Sequence, residues 1–125
     1  MRRILIIEDE DILAATLSEV LQDEGYDAFT AHDGQDGLRQ LAERSPDLVL
    51  LDLMMPLMDG PAFLTARALD ARAQRVPVVV MSSASRSVLK GFAVAGFLAK
   101  PFKLEALLAV IESTLANAEP KKQGG

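Results

Sequence analysis

The sequence predicts an α/β fold, a three-layer, doubly wound, five-stranded parallel sheet, and three observations predict it. Short apolar runs rich in β-branched residues alternate along the chain with segments whose apolar residues recur at helical spacing. The main runs are apolar at every position instead of every second one, so their strands are buried on both faces. That requires parallel neighbours and a layer of helices on each side. The 125 residues, half of them apolar, suffice for one domain with a substantial core.

The elements follow in order. ILII (Ile4–Ile7) is the first strand. After a run of acids, ILAATLSEVLQDEG places Leu13, Leu17, Val20 and Leu21 at helical spacing, and Gly25 supplies the stop. DAFTA (Asp27–Ala31) is a weaker second strand. Asp33 caps a helix that runs through Arg44 with Leu38, Leu41 and Ala42 on one face, and Pro46 ends it. LVLLD (Leu48–Asp52) is the third strand. Asp59 or Gly60 caps the next helix, with Pro61 in its first turn and its end near Arg72. VPVVVMS (Val76–Ser82) and GFLA (Gly96–Ala99) are the fourth and fifth strands. A final helix from Lys103 to about Ala116 carries the stripe Leu104, Leu107, Leu108, Ile111 and Leu115. Residues 1–118 therefore read as one domain and 119–125 as a polar tail or linker stub.

Composition removes several classes of function. Thirteen Lys and Arg against eighteen Asp and Glu leave a net charge of -5, which offers no electrostatic footprint for nucleic acid. With no Cys, disulfides and thiolate metal sites are excluded. No apolar run approaches the roughly 20 residues of a membrane span, and MRRILIIEDE meets acid too early for a signal peptide. The expectation is a cytoplasmic protein with no membrane association.

In a doubly wound sheet, ligands bind outside the carboxyl ends of the strands, where the strand order reverses. Glu8 and Asp9 follow the first strand, Asp52 ends the third, Ser82 and Ser83 the fourth, and Lys100 follows the fifth. Taken singly, each has an ordinary explanation: an acidic first helical turn, a hydrogen-bonded strand end, a loop onset, a turn lysine. Together they set three carboxylates, two hydroxyls and one ammonium along a single edge. Carboxylates so crowded cannot all stay ionised without a counter-charge, and hard oxygen ligands suit Mg²⁺, which keeps several waters.

Four segments now resemble one family. ILIIEDE, LVLLDLMMPLMDG, PVVVMS and FLAKPF, in this order and spacing, make the chain similar over essentially its whole length to the receiver domains of two-component response regulators. The resemblance implies strand order 2-1-3-4-5. It implies that Asp52 accepts a phosphoryl group from a phosphohistidine on a sensor histidine kinase or phosphotransfer protein. Glu8, Asp9, Asp52 and the backbone carbonyl of Met54 would hold Mg²⁺. Ser82 would be the switch hydroxyl, Phe97 the switch aromatic, and Lys100 the cation on the phosphoryl oxygens, after a cis Lys100–Pro101 bond. A downstream protein target and a monomer or weak dimer complete that picture. Such a domain signals and is no enzyme in its own right, beyond catalysing its own phosphorylation and dephosphorylation.

The sequence also departs from the family. The span from Ser82 to Lys100 is shorter than usual, and SASRSVLKGFAVAG contains Gly91, Gly96, Val88 and Val94. A mid-helix Gly costs about 1 kcal/mol and short helices are marginal, so the fourth helix is predicted to be stunted or irregular. Ser82 stands where Thr is commoner, and the neighbouring Ser83 either competes for a phosphoryl oxygen or points away. Met54 and Ala84 offer no polar side chain to orient water, which predicts slow self-dephosphorylation. Elsewhere the plain readings hold: Met55 and Met58 pack a loop, Asp59 caps a helix, His32 is a surface residue, and Lys121 and Lys122 are solvated.

Three rival readings compete with this one. An Mg²⁺-dependent aspartyl phosphatase needs a second acid two residues after the nucleophile, where Met54 stands. A flavodoxin-like nucleotide binder needs a Gly-rich turn after the first strand, where EDEDIL would repel phosphates. The third is a docking receiver that takes no phosphoryl group; the acids and lysine disfavour it, while the altered fourth helix keeps it open. Whether the receiver stands alone or belongs to a longer protein is open too.

Overall fold

The computed structural model describes residues 1–54 and 59–118. The expectations for Met55, Met58, Lys121, Lys122 and the 119–125 tail lie outside the described residues. Five parallel strands, β1 (Arg3–Ile7), β2 (Asp27–Ala31), β3 (Leu48–Asp52), β4 (Val78–Ser82) and β5 (Gly96–Ala99), form one sheet in the order β2-β1-β3-β4-β5. The helices are α1 (Asp11–Asp23), α2 (Gly34–Arg44), α3 (Gly60–Ala68) and α4 (Leu104–Ala118). This is the predicted topology.

Successive side chains on a strand point to opposite faces, and the core divides accordingly. Leu5, Ile7, Val49, Leu51, Val78 and Val80 join Leu41 of α2 and Phe63 and Leu64 of α3 on one face. Ile4, Ile6, Leu48, Leu50, Val79 and Met81 join Leu17 and Leu21 of α1 and Leu107, Ile111 and Leu115 of α4 on the other. The fully buried Phe63 alone contributes about 1.5–3 kcal/mol relative to leaving it in water. Two predicted face residues miss the core. Ala42 is exposed, its side of α2 being served by Gly37 and Leu41. Leu104, the first residue of α4, is 46% exposed.

The helix starts follow their caps. Asp33 Oδ1 accepts from the Asp36 amide at 2.8 Å and Asp59 Oδ1 from the Ala62 amide at 2.9 Å, as the cap reading of both acids requires. Helix α3 stops at Ala68, four residues short of the predicted Arg72. The cause is local competition for the backbone. Asp70 Oδ1 accepts from the amides of Arg72 and Ala73, folding the chain into a 3₁₀ turn, Ala73–Arg75. Strand β4 starts at Val78 instead of Val76, after Pro77, whose carbonyl accepts from the Val49 amide at 3.0 Å.

The predicted fourth helix is a single four-residue 3₁₀ turn, Arg86–Leu89. Its Leu89 is 5% exposed and fills the core where a helix face would otherwise sit. At the opposite edge, the outward carbonyls of β2 are covered by side chains. Gln22 Nε2 of α1 donates to Ala28 O at 3.3 Å, and Gln40 Nε2 of α2 donates to Thr30 O at 2.8 Å.

Candidate functional site

The strand order reverses between β1 and β3, so the carboxyl ends of these two strands form the crevice where a ligand is expected. Ile7 pairs with Leu51, and the residues that follow, Glu8 and Asp52, therefore leave the sheet side by side. The Glu8 amide still donates to Ala31 O at 3.0 Å, which prolongs the β1–β2 ladder by one bond and fixes the direction of the acid. Beyond Asp52, the Leu53 amide donates to Met81 O at 3.2 Å, and the Gly60 amide donates to Leu53 O at 3.0 Å. A Cβ on Gly60 would lie 2.7 Å from Leu53 Cα, so only glycine lets α3 begin this close to the end of β3.

Three carboxylates meet there. Oxygen atoms of Glu8, Asp9 and Asp52 all lie within 4.8 Å of one another. Glu8 is fully buried, Asp52 is 4% exposed, and Asp9 is half-buried. Lys100 Nζ stands 3.3 Å from Glu8 Oε1 and 3.4 Å from Asp52 Oδ1, joining residues 92 and 48 positions away. The Lys100 amide donates to Ser82 O at 2.8 Å, and the Lys100–Pro101 peptide bond is cis. Asp52 Oδ1 also receives the Met54 amide at 3.4 Å, whereas Oδ2 has no hydrogen-bond partner among the described residues.

One lysine does not balance three acids. Burial pushes the Glu8 carboxyl up to about 7, and the charge of Asp52 adds to that; the Glu10 amide, donating to Oε2 at 3.2 Å, and Lys100 pull the other way. Burial also works against the charged form of Lys100, but the charges of Asp52 and Glu8 outweigh it and raise the lysine above its ordinary value. The cluster is thus short of positive charge. Its chemistry fits a small hard cation: the donors are oxygens and the negative charge is in excess.

The remaining predicted residues are spread around this centre. Met54 lies two residues beyond Asp52 and is 68% exposed. Ser82 is fully buried, and its Oγ accepts from the Ala84 amide at 2.9 Å. Ser83 is exposed and lines a groove of about 390 Å³ with Leu13, Lys100, Pro101 and Phe102. Phe97 is half-buried and packs against the α2–α3 side of the core, with the guanidinium of Arg86 over its ring. His32 is on the surface, 3.3 Å from Asp11 across exposed side chains. Arg86 went unnoticed in the sequence; the only signal it offered was a basic residue within a short crossover.

Comparison with known proteins gives a consistent result. The family described as "Response regulator receiver domain" matches residues 4–112. The transcriptional regulatory protein RprY of Bacteroides fragilis is 33% identical over 124 residues, covering 96% of this chain and 52% of that protein. The chain spans about half the length of the curated relatives it matches. Among solved structures, the signal receiver domain of a signal transduction histidine kinase from Syntrophus aciditrophicus superposes with a TM-score of 0.89 at 27% identity, covering 98% of this chain and 96% of its own. The response regulator protein TrrA of Thermotoga maritima, solved in complex with Mg²⁺ and BeF, has a TM-score of 0.83 at 28% identity, covering 91% of this chain and 99% of its own.

Proposed function

The chain belongs to the response regulator receiver domain family, and from that premise we propose that Asp52 is its phosphoacceptor, that Glu8, Asp9, Asp52 and the Met54 carbonyl hold Mg²⁺, and that the phosphoryl group comes from a phosphohistidine of a partner protein. The observation that carries this reading is the placement of Lys100 Nζ between Glu8 Oε1 and Asp52 Oδ1, beside three carboxylates whose oxygens fall within 4.8 Å.

Each residue then has a defined task. An Asp52 carboxylate oxygen attacks phosphorus as the bond to the donor imidazole breaks, giving an aspartyl phosphate and a free histidine. The transition state for such transfer is loose, so catalysis is mainly alignment and charge neutralisation. Lys100 neutralises one phosphoryl oxygen from the β5 side, and the Met54 amide steadies the acceptor carboxylate. Held by these residues, Mg²⁺ would supply Lewis-acid charge neutralisation during the transfer. The Ser82 hydroxyl turns toward the new acceptor oxygens, and Phe97 moves into the space it leaves. That TrrA, a protein of the same fold, was solved in complex with Mg²⁺ and BeF supports this reading.

The surface around the acids supports a protein donor. Ile12 is 85% and Met54 68% exposed, and a groove lined by Leu13, Pro101 and Phe102 also takes in Lys100. Exposed apolar surface of this kind suits a protein partner, and the groove reaches Lys100 of the acid cluster. No helix among the described residues is long and apolar enough to cross a membrane.

The test is intact mass after incubation with acetyl phosphate and Mg²⁺. The expected result is a gain of one phosphoryl group that requires Mg²⁺ and is lost in Asp52→Asn. No gain in the wild-type protein would favour the docking receiver that takes no phosphoryl group.

A further inference from the structure

The crossover from β4 to β5 touches both residues assigned to the switch. At its start, the Ala84 amide donates to Ser82 Oγ at 2.9 Å. Two residues on, Arg86 opens the 3₁₀ turn and holds its guanidinium carbon 5.9 Å from the centroid of the Phe97 ring. Arg86 is exposed, and no carboxylate pairs with it among the described residues, so the ring is the partner the structure gives it. Phe97 is half-buried, packed against the core with the cation over its ring. Stacking over an aromatic face is the geometry in which a guanidinium is attracted by the ring quadrupole.

We infer that Arg86 is a positioning residue that holds Phe97 in its resting place, so that the shortened crossover, and not a fourth helix, sets how readily the domain switches. The inference rests on the proposed roles of Asp52, Ser82 and Phe97. Moving Ser82 Oγ onto an aspartyl phosphate and Phe97 inward gives up the Arg86 contact. The contact therefore favours the resting state alone, and a group that favours one of two states shifts their equilibrium by its full differential interaction. Among the basic residues of the crossover, Lys90 has no such contact with the ring, which singles out Arg86.

The experiment is a titration of the full chain with beryllofluoride in the presence of Mg²⁺, followed by NMR of ¹³C-labelled phenylalanine. It compares wild type with Arg86→Ala, Arg86→Gln and Arg86→Lys. A cation–π contact at an exposed site corresponds to about a two- to five-fold change in equilibrium. Apparent affinity for beryllofluoride should rise by that factor in the Ala and Gln variants and return toward wild type with Lys. In the metal-free protein, the Phe97 ring signals of the Ala and Gln variants should already be displaced toward their ligand-bound positions. Equal affinities and unchanged Phe97 signals across all variants, in a wild type that binds beryllofluoride, would overturn the Arg86 inference and leave the receiver reading intact. A wild type that binds no beryllofluoride with Mg²⁺ would overturn both. Since Arg86 is exposed, thermal unfolding of the variants serves as the folding control, with unchanged midpoints expected.

Discussion

Arg67 and Lys100 are both drawn out of bulk water, and they are treated in opposite ways. Arg67 of α3 is 8% exposed and faces only neutral oxygens: Nη2 donates to Val76 O at 2.7 Å and Gln74 O at 3.0 Å, and Nε donates to Val76 O at 3.2 Å. Burial lowers its pKa without making it titratable. Lys100, with a 23% exposed side chain, faces two acids at 3.3 and 3.4 Å. Arg67 has more donors than charge to balance, and its fork fits carbonyls that no other group claims, so it pins the turn from α3 into β4. Lys100 has more negative charge around it than it can neutralise. A satisfied buried charge holds structure together; an over-subscribed one leaves an electrostatic demand that a ligand can meet.

Replacing each cation in turn tests that contrast. The largest effect should come from Lys100→Met. Removing one preorganised charge from a transfer site lowers rate by about 10²–10³-fold, so phosphoryl uptake from acetyl phosphate, timed by intact mass, should slow by that order while the fold persists. An uptake rate close to wild type would mean that the lysine serves structure as Arg67 does. Next, Arg67→Met leaves the Val76 and Gln74 carbonyls without their donors. At about 1–3 kcal/mol for each buried group left unsatisfied, urea unfolding should register a loss of about 2–4 kcal/mol with Mg²⁺-dependent phosphoryl uptake retained.

Smaller, and opposite in sign, is the expected effect of Glu8→Gln in the absence of metal. The Glu8 carboxyl is raised from 4.5 to about 7 by its burial, so the folded state holds its proton more tightly than the unfolded chain. That contribution to stability is complete below 4.5 and is lost as pH rises through about 7. At pH 8 in chelator the Gln variant should therefore be more stable than wild type by on the order of 1 kcal/mol, and its stability should vary less between pH 5 and 8. The same variant should bind Mg²⁺ more weakly. Destabilisation at pH 8 would show that the Lys100 contact outweighs the crowding of acids.

Much of this was legible in the chain. The strands announce themselves as apolar runs, and the acids and lysine stand out because each closes such a run; once the sheet is parallel, their convergence follows. The stunted crossover was legible too, from the short distance between Ser82 and Lys100 and the glycines within it. What escaped was partly local and partly tertiary. Helix α3 reads as continuing to Arg72, because helical spacing gives no weight to the Asp70 side chain, which competes locally for the Arg72 and Ala73 amides, or to the Arg67 fork, whose carbonyl partners the folded turn brings near. Ala42 and Leu104 fit an apolar stripe by spacing alone, but spacing does not say which of its residues the fold covers. Arg86 could not be assigned, since its partner Phe97 lies across a crossover whose backbone path is irregular.

The two glutamines at the β2 border have a consequence for solubility. A border strand normally displays a row of acceptors that invites a foreign strand to join, yet here Ala28 O and Thr30 O already hold amide protons from Gln22 and Gln40. Any newcomer must first evict two tethered competitors, one reaching down from each helical layer. The sheet thus carries its own fence on the side away from the signalling chemistry, and aggregation by that route begins at a disadvantage.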